Sequence, residues 1–139
     1  MDKIQEAAIS NEREKLRLLI VEDEALIAIA VEQMVEDAGF LFETSVNGDD
    51  AIAILEDSNQ SFSALVTDIR IPGQATGWDV ARRARELYPS IPVIYMTGDS
   101  TGEWTAYGVP ESILLQKPFA EVQLTTGLAT LLNDVRPLA

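Results

Sequence analysis

Residues 63–73 read SALVTDIRIPG: an apolar run, an aspartate at position 68, then a break into the turn Ile71-Pro72-Gly73. Residues 63–67 are apolar nearly throughout, which is how a strand buried on both faces of a parallel sheet reads. Working outward, residues 16–21 and 91–96 have the same character, and residues 40–45 and 112–115 are further short β-type runs. Helical spacing fills the gaps. Ile27, Val31, Met34, Val35 and Ala38 mark one face of a helix that Gly39 closes, and Ala51, Ile52 and Leu55 mark a second. A third helix covers residues 78–88 and stops at Pro89, and a weak fourth lies near 101–107. Leu124, Leu128, Leu131, Leu132 and Val135 recur at steps of three and four, the pattern of a last amphipathic helix.

Five alternations of strand and helix predict an α/β domain, a doubly wound parallel sheet with right-handed crossovers. Such folds place their ligand site outside the carboxyl ends of the strands, so the residues there belong together. They are Glu22, Asp23 and Glu24 after the first strand, Asp68, Ile69 and Arg70 after the third, Thr97, Gly98 and Asp99 after the fourth, and Gln116, Lys117 and Pro118 after the fifth. A lone acid after a strand reads first as a helix cap. Glu22, Asp23 and Asp68 gathered at one edge would repel one another unless a cation sits among them, and an all-oxygen set of this kind suits Mg²⁺. With such an ion present, a carboxylate can attack a phosphoryl group in line, forming an acyl phosphate. Asp68, ending the most central strand, is the expected nucleophile. The Thr97 hydroxyl and the Lys117 ammonium are placed to meet phosphoryl oxygens, and Gly98 leaves room for their approach.

Composition narrows the chemistry further. The 139-residue chain has no cysteine and no histidine, which excludes disulfides, Cys or His nucleophiles and zinc sites with N/S ligands. A formal net charge of −13 works against direct binding of nucleic acid. Between Leu18 and Ile69 there are twelve Asp and Glu and no Lys or Arg, mostly read as solvated helix faces, whereas Arg82, Arg83 and Arg85 cluster later. No apolar run reaches the length of a membrane-spanning helix, and residues 1–15 are polar without a secretory pattern, so a cytoplasmic protein is expected. Residues 1–15 form a polar extension ahead of one domain at 16–139.

The segments LLIVEDEALI, ALVTDIRIPG, GWDVARRARELYPSIPVIYMTGD and LLQKPF, in this order and at these spacings, resemble the receiver domain of bacterial two-component response regulators. The resemblance implies a flavodoxin-like (βα)5 fold with strand order 2-1-3-4-5. It implies that Asp68 accepts phosphate from a sensor histidine kinase or a phosphotransfer protein. It also implies that Asp23, Asp68 and the Arg70 carbonyl bind Mg²⁺ directly, with Glu22 helping through water, while Thr97 and Lys117 read the phosphoryl group. Arg70 and Asp99 fall at the two positions that tune acyl phosphate hydrolysis in this family, and their opposite charges suggest a pair across the site mouth.

Two departures bear on function. The first acidic position is Glu22 where aspartate is common. Three residues before Lys117, where many receivers carry an inward-turning Tyr or Phe, this chain has Leu114. The segment 101–110, with Gly102, Gly108 and Pro110 around Trp104 and Tyr107, is therefore expected to carry the response instead. With no segment after the last helix to supply an output, the expectation is a stand-alone receiver that signals by protein contact or drains phosphate from a kinase. A homodimer is among the assemblies this allows. The alternative is a pseudo-receiver, an interaction module that keeps the fold without phosphorylation. An aspartate-based phosphatase is disfavoured, because Arg70 stands where such enzymes place a second Asp as general acid.

Overall fold

A computed structural model describes residues 16–98 and 102–135. The extension at 1–15 and Asp99, with the pair expected between Asp99 and Arg70, lie outside the described residues. The elements are β1 (Arg17–Val21), α1 (Ala25–Asp37), β2 (Leu41–Ser45), α2 (Gly48–Glu56), β3 (Ala64–Asp68), α3 (Gly77–Leu87), β4 (Val93–Thr97), α4 (Gly102–Tyr107), β5 (Ile113–Gln116) and α5 (Glu121–Val135). All strand pairs are parallel, and the sheet order is β2-β1-β3-β4-β5. That is the order the resemblance implied.

Burial explains why some strands were plain in the sequence and others were not. Every residue of β3 and β4 is buried, because helices cover both faces of the sheet centre, so neither strand carries a polar alternation. The edge strand β2 is half-exposed and correspondingly mixed in composition. On one face Val31 and Val35 of α1 and Leu124 and Leu128 of α5 pack on Leu18, Ile20, Val66 and Ile94. On the other, Leu55 of α2 and Trp78, Val80, Ala81 and Ala84 of α3 pack on Leu19, Leu65, Val93 and Tyr95.

The boundaries differ from expectation by a residue or two, and the differences bear on the site. Strand β4 starts at Val93 because Pro92 has no N–H to donate, although its carbonyl still accepts from Leu65 N at 2.9 Å. At the other end β3 and β4 extend to Asp68 and Thr97, with Asp68 paired to Met96. Both residues therefore sit inside the ladder as its last members, held by it instead of by a loop. Gly39 takes φ 89°, the left-handed conformation expected where it closes α1. Helix α3 begins one residue earlier than expected, at Gly77, where Thr76 and Asp79 form a reciprocal capping box.

Candidate functional site

The carboxyl edge of the sheet brings four of the expected side chains together. Asp68 is 8% exposed and Glu22, just past β1, is wholly buried. Lys117 reaches between them from the end of β5, its Nζ donating to Glu22 Oε1 at 2.6 Å and to Asp68 Oδ2 at 2.8 Å. The other Glu22 oxygen accepts from the Glu24 amide at 3.2 Å, ahead of α1, whose first turn has no side-chain cap, so Glu22 is not the helix cap that a lone acid after a strand would suggest. Asp23 is exposed, yet carboxylate oxygens of Glu22, Asp23 and Asp68 all lie within 4.8 Å of one another. Burial works to lower the Lys117 ammonium, but the hydrogen bonds and charges of Asp68 and Glu22 outweigh it and leave its pKa above the ordinary lysine value. Three carboxylates thus face one ammonium, an excess of two negative charges that would be balanced by a divalent cation.

Backbone contacts fix these residues. The Lys117 amide donates to the Thr97 carbonyl at 2.7 Å, which ties the end of β5 to the end of β4. Thr97 is 6% exposed and Gly98 beyond it is open to solvent. The connection from β3 to α3 is anchored at both ends. Gly77 N donates to the Ile69 carbonyl at 2.9 Å, and α3 approaches so closely that a Cβ on Gly77 would overlap the Asp68 carbonyl oxygen. Further along, the Asp49 carboxylate accepts from the amides of Gln74 (3.0 Å) and Ala75 (3.2 Å), and Gly48 N donates to the Pro72 carbonyl at 3.3 Å. Asp49 was read in the sequence only as part of an acidic face. Its role depends on a loop 25 residues away, which no local pattern reveals.

Arg70 is exposed and lines a cleft of about 560 Å³ with Trp78, Arg82 and Tyr107. A second, mainly apolar groove of about 410 Å³ opens between α1 and the segment after β5, lined by Leu26, Ile27, Met34, Lys117 and Phe119. Leu114 is half-buried against the α2–α3 core and pairs with Tyr95 in the sheet. Tyr95 was not singled out in the sequence. A tyrosine in the middle of an otherwise aliphatic strand was the available signal. Among the described residues, no helix is long and apolar enough to cross a membrane.

This geometry is shared with known proteins. The profile of the response regulator receiver domain matches residues 18–129, so the chain belongs to that family. It is similar to a response regulator receiver protein from Sinorhizobium medicae, with 41% identity and a TM-score of 0.83 over 86% of this chain and 96% of that one. The receiver domain of the sensor histidine kinase PA1611 from Pseudomonas aeruginosa shares the fold at 24% identity and a TM-score of 0.74, over 85% of this chain and 98% of that one; in that structure a magnesium ion is coordinated in the active-site cleft. The transcriptional regulatory protein CusR of Escherichia coli is 29% identical over 85% of this chain and 52% of its own length. The chain spans about half the length, or less, of the curated relatives it matches.

Proposed function

We propose that this chain is a phosphoacceptor of a two-component phosphorelay, taking a phosphoryl group on Asp68 from a sensor histidine kinase or a phosphotransfer protein. The observation that carries this reading is the Lys117 ammonium between Glu22 and Asp68, with Asp23 beside them, at the carboxyl end of the central strand. An Asp68 carboxylate oxygen attacks phosphorus, the bond from phosphorus to the donor's imidazole nitrogen breaks, and the released imidazole takes up a proton. Asp68 becomes an acyl phosphate, later returned to carboxylate by water. The chemistry beyond this self-modification is left to partners, so the protein is not an enzyme in the usual sense.

The donor set fits Mg²⁺: oxygen ligands only, partly open to water, with two negative charges in excess. Glu22, Asp23, Asp68 and the Arg70 carbonyl would hold it, and once bound it would neutralise phosphoryl oxygens. The rest falls to the chain's own groups. Lys117 exchanges its contact with Asp68 for one with the phosphoryl group, and the Thr97 hydroxyl donates to another phosphoryl oxygen beside the small Gly98. Residues 16–139 form the receiver unit, working in the cytoplasm and signalling by protein contact or serving as a phosphate sink. Incubation with acetyl phosphate and Mg²⁺ should produce, by intact mass, an adduct of one phosphoryl group that Asp68→Ala abolishes. Absence of the adduct in the wild-type chain would favour the pseudo-receiver alternative.

A further inference from the structure

We propose that Tyr95 couples the site to the connection between α4 and β5, its hydroxyl being the point through which movement at the end of β4 reaches α4. The inference rests on Asp68 being the phosphoacceptor and names the route by which its state is read. Tyr95 is wholly buried in β4, two residues before Thr97. Side chains alternate along a strand, so the two share a face. Its neighbour across the sheet is Leu114, which has neither a ring to turn nor a hydroxyl to bond. The aromatic group missing from β5 is thus supplied by the adjoining strand.

A buried tyrosine hydroxyl is expensive to desolvate unless it is bonded, and this one is held by the Val109 amide, which donates to it at 3.1 Å. From Val109 the bonding continues outward. The Val109 carbonyl accepts from Ser112 Oγ at 2.7 Å, and that oxygen accepts from Trp104 Nε1 at 3.0 Å. Through the backbone of Val109, these hydrogen bonds join the middle of β4 to α4. The ring makes a second link. It lies 4.8 Å from Trp78, whose ring is 6.1 Å from that of Tyr107, and Tyr107 is 52% exposed on the outer side of α4.

What lies beyond Val109 is pinned separately. Arg85 on α3 donates to the carbonyls of Ile91 (2.7 Å) and Pro110 (2.6 Å), which fixes the far end of the connection to the body of the domain. Residues 102–109 form the part that can respond. A six-residue helix cannot persist on its own propensity, so its position depends on the contacts of Trp104 and Tyr107 and on the bond at Val109. A shift of Thr97 toward a phosphoryl group on Asp68 would carry β4 with it, disturb the Tyr95 hydroxyl and redistribute α4 between two positions.

Tyr95→Phe keeps the ring and removes the hydroxyl, and Ser112→Ala breaks the chain further out without touching Tyr95. Both variants and the wild type are phosphorylated with acetyl phosphate and Mg²⁺ and followed by intact mass. Amide exchange of residues 102–112 is then measured with and without beryllofluoride. Phosphoryl uptake should agree within about twofold across the three, while the beryllofluoride-dependent change in exchange, about fivefold or more in the wild type, should fall below about twofold in Tyr95→Phe and be reduced in Ser112→Ala. A merely structural tyrosine would lower the melting temperature of Tyr95→Phe and leave the beryllofluoride-dependent difference intact, and that result overturns the proposal. So does a wild-type chain that is phosphorylated with no change at 102–112. A wild-type chain that takes up no phosphoryl group sinks the Asp68 reading instead.

Discussion

Lys117 is the residue on which the charge balance of the site turns. Its side chain is 15% exposed and its two carboxylate partners are nearly or wholly buried, so its removal leaves like charges facing each other in a poorly solvated place. Breaking a buried ion pair by deleting one partner typically destabilises by roughly 3 kcal/mol. Lys117→Ala should therefore melt well below the wild type in a metal-free buffer, and Mg²⁺ should raise its melting temperature more than it raises that of the wild type. Equal Mg²⁺ shifts in calorimetry would mean that the ion and the ammonium do not share the same charges. Tyr95 offers a second test at this scale. Burial holds its hydroxyl above the ordinary tyrosine value, against the opposing pull of the Val109 amide and of Arg85 and Arg82. Below pH of about 10 it is protonated in both folded and unfolded chains and adds no pH dependence. Above that, the unfolded chain loses the proton first, so stability falls as pH rises toward the folded value. Between neutral pH and about pH 11 the wild type should lose more melting temperature than Tyr95→Phe does.

At the scale of elements, the approach of α3 to the end of β3 decides where Asp68 points. Gly77 is the first residue of that helix, and a side chain there would collide with the backbone at the end of β3. The obstacle is backbone on both sides, so it cannot be relieved by a rotamer change. Gly77→Ala should destabilise by about 1–3 kcal/mol, as overpacking does, and should slow phosphorylation because Asp68 and the Arg70 carbonyl move with the helix. Urea melts and phosphorylation rates by mass check both. Unchanged stability would show that the helix start can lift away without consequence. The Asp49 carboxylate bonded to the Gln74 and Ala75 amides serves the same connection from α2. The loop beside the site is thus tied to two helices.

For the molecule as a whole, a formal net charge of −13 means that every compaction is opposed by self-repulsion. The described ion pairs outside the site are few and partly exposed, and two of the four are neighbours on the same helix, so they offset little of it. Sodium chloride added up to about 0.5 M should raise the melting temperature through screening. Mg²⁺ at matched ionic strength should raise it further through site binding, and Asp68→Ala should keep the first effect and lose most of the second. If both salts act alike at equal ionic strength, the acidic cluster is not a preformed metal site.

The sequence alone determined the alternation of strands and helices, because strands buried on both faces must be apolar throughout and amphipathic helices must repeat every three to four residues. It also determined the list of Glu22, Asp23, Asp68, Thr97 and Lys117, because a doubly wound sheet gathers strand ends at one edge. The structure alone decided which of these touch. That Lys117 bonds both Glu22 and Asp68, while Asp23 stays open to water, depends on the register of β5 on β4 and of β3 on β1. Asp49, Gly77 and Tyr95 stayed hidden for the same reason. Each acts on a partner from another element, a backbone carbonyl or amide whose position no local pattern records, and only the packed chain brings the two together.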